Sequence, residues 1–211
     1  MDAHAQSSLP PCETATPASW TDCFGTYTDP SGDNYVGEFK NNMYHGAGNY
    51  TFAKGDKFVG VFREGVLFGQ GSLISNSGYT IVEGNWADRV VSVGETHWLY
   101  TGGNDDGSSY YFVALSSIRL EGALRRAWVI VGHSRPNLKT KSLSFRTLNK
   151  FDCIDDRYLT LTETQFSGAF ATGNVLASFD GERFKWEYAA PNTVFSFVLR
   201  AVCEYDLNTR K

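Results

Sequence analysis

Four cysteines are the residues best placed to do chemistry in this chain of 211 amino acids. They fall as a close pair, Cys12 and Cys23, and a distant pair, Cys153 and Cys203. Zinc binding asks for a Cys-x-x-Cys knuckle or histidines at ligand spacing. Here Cys12 and Cys23 stand 11 apart, and of His4, His45, His97 and His133 only His4 lies near a cysteine. An even count in a turn-rich chain suits disulfides, with three connectivities open, and disulfides imply an oxidising compartment.

Other reactive patterns are weaker. His133 ends a strand-like run beside Arg135, where a turn histidine is the expected reading, and His45 falls in a turn explained by packing. No Gly-x-Ser-x-Gly elbow is present. Gly69-Gln-Gly71 lacks the third glycine and following helix of a dinucleotide loop. Asp105 and Asp106, in Gly102–Gly107, lack the ligand spacing of a calcium loop and read as a hairpin turn. The expectation is a protein with no catalytic residues, no metal and no cofactor.

Composition agrees with a binding or structural role. The net charge of -4 comes with no basic run to follow a phosphate backbone, so nucleic acid is not expected as a partner. No apolar run approaches the 18 or so residues of a membrane span, although peripheral membrane association stays open. Ala3-His4-Ala5 has the small residues of a signal-peptidase site, a trace of export. Leu9-Pro10-Pro11 before Cys12 lacks the small residues of a lipobox, so no lipid anchor is expected there.

The elements that would carry a binding surface are set by glycines. Gly25, Gly48 and Gly71 follow at intervals of 23, as do Gly32, Gly55 and Gly78. Gly37 recurs at Gly60, and Phe39 at Phe62 and, one residue late, at Trp86. Such a fixed period marks a repeat array. Tyr35, Gly37 and Phe39 alternate on one face of a strand, as do Phe58, Gly60 and Phe62. Gly32-Asp33 and Gly55-Asp56 supply the turn before each strand, and Gly46-x-Gly48 and Gly69-x-Gly71 are expected to introduce the returning strand. Each unit then reads as a hairpin that stacks on its neighbour to bury an aromatic face.

Tyr35, Gly37, Glu38, Phe39, His45, Gly46 and Gly48 resemble the MORN repeat. The second copy departs at Phe58, Val61 and Phe68, and the third, Gly78 to Trp86, is degenerate. The stretch before them, with Cys12, Trp20 and Cys23, resembles the leader of MORN arrays in exported bacterial proteins. A Cys12–Cys23 bridge there would tie the leader to the first strand, with Trp20 over its open end.

After Trp86 the period is lost. From about Thr96 runs such as 98–103, 108–122, 124–133, 140–153 and 157–166 read as separate strands, several of them alternating apolar and polar residues like half-buried antiparallel strands. The segment 192–204 fits a strand or a short helix. Ala127–Val131, Phe151-Asp152-Cys153, Arg157-Tyr158, residues 167–176, Lys185–Pro191 and the final Ala201–Cys203 occur in the order seen in the bacterial surface-adhesin protein E family, which this part resembles. That resemblance implies a Cys153–Cys203 disulfide and attachment to a protein partner of the envelope or a host matrix.

The expected architecture is all-β: a leader at 1–23, a short MORN β-hairpin array at 24–92, and a mainly antiparallel β-sheet domain at 93–211 with room for one short helix. Expected repeat glycines are Gly25, Gly32, Gly37, Gly46, Gly48, Gly55, Gly60, Gly69, Gly71 and Gly78. The candidate binding surfaces are the aromatics Tyr27, Tyr35, Tyr50 and Phe58, most of which are expected to be core of the repeat, and a basic cluster at Arg125 and Arg126 with Lys139, Lys141, Arg146 and Lys150, a composition that is most often a solvated face. The reading is a non-enzymatic exported bacterial protein, in the periplasm, at the surface or secreted. Its alternative is a MORN scaffold at the envelope. Exposed strand edges leave a homodimer open.

Overall fold

The computed structural model describes residues 7–13, 19–104, 106–181 and 184–207. Ala3-His4-Ala5 and Asp105 lie outside the described residues. The chain divides into two compact units, Met1–Val91 and Ser92–Lys211.

The first unit is an antiparallel meander of β1 (Cys23–Thr28), β2 (Asn34–Lys40), β3 (Met43–Thr51), β4 (Lys57–Arg63), β5 (Val66–Ile74) and β6 (Thr80–Ala87), with each strand paired to the next. A short β7 (Val90–Val93) carries the chain across the boundary. Two kinds of turn alternate. The tight ones are Asn41-Asn42 and Glu64-Gly65, all with positive φ, as type I′ hairpin turns require. The longer ones repeat one hydrogen-bond pattern three times. Asp29, Phe52 and Ser75 each donate N–H to the carbonyl of the residue four on, and each accepts the N–H of Gly32, Gly55 or Gly78. Those glycines sit at φ +93, +92 and +83, a region that strains other L residues. Asp33 and Asp56 link successive turns, because their carboxylates accept the backbone N–H of Ala53 (2.8 Å) and Asn76 (2.9 Å). Tyr79 takes the equivalent position in the third copy and has no carboxylate to continue the ladder.

The returning strands begin earlier than expected. β3 starts at Met43 and β5 at Val66, so Gly46, Gly48, Gly69 and Gly71 lie inside strands. The register shifts between Gly37 and Glu38 opposite β3, and between Gly60 and Val61 opposite β5, which places a bulge in each returning strand. Glycines face each other across the sheet, Gly37 with Gly48 and Gly60 with Gly71. Tyr35 lies over the first pair and Phe58 over the second, so a Cβ at Gly48 or Gly71 would run into the ring above. Phe39, Phe62 and Trp86 pack edge-on around these rings.

The outer edge of β1 is covered. Cys12 N–H donates to Phe24 O, Phe24 N–H donates to Pro10 O, and the Cys12–Cys23 disulfide holds the strap in place. Trp20 is buried against Phe39, with ring centroids 4.7 Å apart.

The second unit is a sheet in the order β8-β9-β11-β12-β13-β14: β8 (Thr96–Gly103), β9 (Ser109–Ala114), β11 (Leu124–His133), β12 (Ser144–Asp152), β13 (Arg157–Phe166) and β14 (Val175–Asp180). The run 108–122 is broken by a 3-10 turn at Leu115–Ser117, which leaves β10 (Arg119–Glu121) paired to β11, while β15 (Glu187–Tyr188) pairs to β13. The segment left open in sequence is α1 (Val194–Cys203). The side chain of Thr193 caps its N-terminus through Ser196 N–H, and Val198, Leu199 and Val202 form its buried stripe. They pack on Val113, Ala127, Val129, Val131 and Phe151. The Cys153–Cys203 disulfide fastens the helix end to the turn after β12. The chain is thus all-β with one short helix.

Candidate functional site

The aromatics of the repeat unit separate into two groups. Tyr35 and Phe58 are 0% exposed. The glycine pairs beneath them let their rings lie flat on the sheet, so these two are core of the repeat, the alternative the pattern favoured, and not part of a binding surface. Tyr27 and Tyr50 are half-buried on the same face. Tyr50 donates to Asp33 Oδ2 at 2.6 Å; burial and then that hydrogen bond push its pKa upward. Tyr44, missed in sequence because Leu67 stands at its place in the next repeat, stacks on Tyr35 with centroids 4.0 Å apart. Burial, followed by the charge of Asp29, raises the pKa of Tyr44. Hydrogen bonds from Ser31, its hydroxyl first, hold the Asp29 carboxyl below its ordinary value against the opposing effect of burial.

The basic cluster also divides. Strand alternation turns Arg125 and Arg126 to opposite faces of β11. The Arg125 guanidinium donates to the carbonyls of Val202 and Tyr205, both at 2.7 Å, and so holds the C-terminal end of α1. Its role is structural, which corrects its place in the expected surface. Arg126 lies on the face away from the helix, where Glu121 holds it at 2.7 Å and Lys150 at 3.1 Å. Register places Trp128, Leu148 and Arg146 on this same face. The Arg146 guanidinium carbon is 5.2 Å from the Trp128 ring centroid and 5.6 Å from that of Phe166, within the range of cation–π attraction. Arg119 pairs with Arg126 and extends the face. Lys139 and Lys141 lie apart from it, in the exposed turn between β11 and β12.

A serine–histidine pair is present: Ser109 Oγ is 3.1 Å from His133 Nδ1. The serine is buried, and His133 Nε2 is buried with no partner among the described residues. A nucleophile–base pair works when a third group orients the base; here the other ring nitrogen has none. Burial lowers the His133 pKa, with Glu163 opposing. Among the described residues no group of three or more potential metal ligands comes together.

These features describe a disulfide-bonded β protein whose second unit packs a single helix on an antiparallel sheet. The family profile of surface-adhesin protein E matches residues 98–204, just over half of the chain. The chain belongs to that family. A MORN repeat profile matches residues 35–57. Among solved structures, crystal form II of Haemophilus influenzae protein E is similar at 14% identity, over 50% of this chain and 88% of that one, with a TM-score of 0.40. Protein E from non-typeable Haemophilus influenzae is similar at 14% identity, over 44% and 69%, with a TM-score of 0.34. No curated protein matches by sequence.

Proposed function

We propose that the chain is an exported, non-enzymatic, adhesin-like protein that binds an acidic macromolecule, a protein of the envelope or of a host matrix, through the basic–aromatic face of its second unit. The observation that carries this reading is Arg146 held over Trp128 and Phe166 inside the family-matched region, with Arg126 and Lys150 on the same face. Large rings and arginines are the residues that dominate binding energy at protein interfaces. Two disulfides support an oxidising compartment. Among the described residues no helix is long and apolar enough to cross a membrane.

The test is a binding panel of immobilised envelope, matrix and plasma proteins, probed with the full chain and with a variant carrying Arg126→Gln, Arg146→Gln and Lys150→Gln. The wild type should bind at least one acidic member, more weakly as salt rises, and the triple variant should lose that binding while keeping its melting temperature. Failure of the wild type across the panel, or equal binding by the variant, would overturn the reading.

A further inference from the structure

We propose that a tyrosine-lined groove on the repeat unit receives a lysine or arginine side chain of a partner protein. The groove has a volume of about 330 Å³ and is lined by Tyr27, Phe39, Asn42, Met43, Tyr44 and Gly65. β1 and β3 flank β2, and register places Tyr27, Phe39 and Tyr44 on one face. Phe39 is buried and makes the floor, while Tyr27 and Tyr44 are half-buried walls. Met43 leaves an exposed apolar side chain at one end.

The polar groups beside this groove are acceptors without donors. Among the described residues neither the Tyr27 nor the Tyr44 hydroxyl has a hydrogen-bond partner. Asp29, two residues after Tyr27, spends Oδ1 on the N–H and hydroxyl of Ser31 and the N–H of Asp33. Its Oδ2 accepts no hydrogen bond, and Asp29 is in no ion pair among the described residues. Tyr50, whose ring centroid is 5.9 Å from that of Tyr44, donates to Asp33 Oδ2, and Asp29 Oδ1 accepts the Asp33 N–H, so both carboxylates stand beside the tyrosine cluster.

Aromatic faces next to a carboxylate attract a cation. An aliphatic stem fits over Phe39 and Met43, and an ammonium or guanidinium head would donate to the hydroxyls and to Asp29 Oδ2. A quaternary ammonium has no hydrogen to donate to these acceptors. A choline lipid would also bring its phosphate toward Asp29 and Asp33. The chemistry therefore favours a basic side chain on a protein segment.

The proposal rests on the reading of the chain as a binding protein but on a separate surface, so loss of binding in the Arg126/Arg146/Lys150 variant leaves it standing. The experiment is an NMR titration of the full chain, with tyrosine rings labelled, using a blocked ten-residue peptide of alternating lysine and glycine. Saturable shifts should appear at Tyr27 and Tyr44. Asp29→Asn, which keeps a carbonyl for the Ser31 turn, should weaken binding by about tenfold, and Tyr44→Leu by a similar factor. Glu83→Gln, on the opposite face of the sheet, should change nothing. Absence of saturable tyrosine shifts, or equal weakening by Glu83→Gln, would overturn the proposal. So would shifts of the same rings with phosphatidylcholine vesicles but not peptide, or on self-association of the chain alone.

Discussion

Tyr35 and Phe58 hold the same position in successive repeats and differ by one hydroxyl, and the hydroxyl has a use. It is shared between the carbonyls of Glu38, at 3.0 Å, and His45, at 3.1 Å, register partners beside the bulge in β3. Tyr35→Phe keeps the ring over its glycines but leaves these carbonyls without that donor. A loss of about 1–2 kcal/mol is expected, read as a fall in the urea midpoint at constant slope.

The second copy depends instead on close packing. A methyl at Gly71 would enter the Phe58 ring, and Gly71 O also accepts the indole N–H of Trp86 at 3.0 Å. Gly71→Ala should destabilise the repeat by about 1–3 kcal/mol through overpacking. Gly78→Ala meets no atom within 4 Å, and its cost should come from the positive φ of +83 alone. Denaturant unfolding with and without Phe58→Ala separates the mechanisms: in that background the cost of Gly71→Ala should shrink and that of Gly78→Ala should be unchanged.

The adjacent arginines separate folding from binding. Arg125→Gln removes the donor to Val202 and Tyr205 carbonyls and should cost about 1–3 kcal/mol, because a charge-assisted bond to a part-buried group is lost. Arg126→Gln removes a half-exposed ion pair with Glu121 and should cost no more than about 1 kcal/mol. Thermal melts of the two variants check the contrast.

Acid should weaken the second unit through His133. Burial lowers its folded pKa below the unfolded value, so the neutral ring is the form the fold prefers. The stability it contributes is present above the unfolded pKa of about 6.5 and is lost as pH falls toward the folded one. His133→Gln should flatten that part of the stability–pH curve; an unchanged slope between pH 7 and the onset of carboxylate titration would contradict the assignment.

Much of the fold was legible because its signals are local and periodic. The interval of 23 between Gly25, Gly48 and Gly71 is the spacing of one complete up-and-down strand pair, the apolar run Ala127–Val131 is the middle of β11, and the alternation of Leu159 and Leu161 is that of β13. The segment 192–204 was ambiguous because its apolar residues are nearly continuous; beside the local Thr193 cap, the packing of Val198, Leu199 and Val202 on the sheet and the Cys203 bridge are tertiary facts that accompany the helix. The site was less legible for a related reason. The repeat pattern puts Tyr27, Tyr35, Tyr50 and Phe58 on one aromatic face, but which of them stay half-exposed depends on the facing glycines that seat Tyr35 and Phe58. The meeting of Trp128, Arg146 and Phe166 depends on the register of three strands, which no short pattern encodes. Tyr44 has no partner in the next repeat, so periodicity passed over it.

The two disulfides close separations of 11 and 50 residues. In the loop-entropy picture they are worth about 3 and about 4 kcal/mol. Replacing Cys153 and Cys203 by alanine should therefore lower stability more than replacing Cys12 and Cys23, whose loss should mainly free the strap over β1 and raise exchange of the Phe24 amide.

The account stands most directly on export to an oxidising compartment, and a disulfide map tests it: protein taken from its native cells, alkylated before any reduction, and read by mass spectrometry. Cys12–Cys23 with Cys153–Cys203 is the predicted result. Four alkylated thiols would place the protein in a reducing compartment and contradict the adhesin reading.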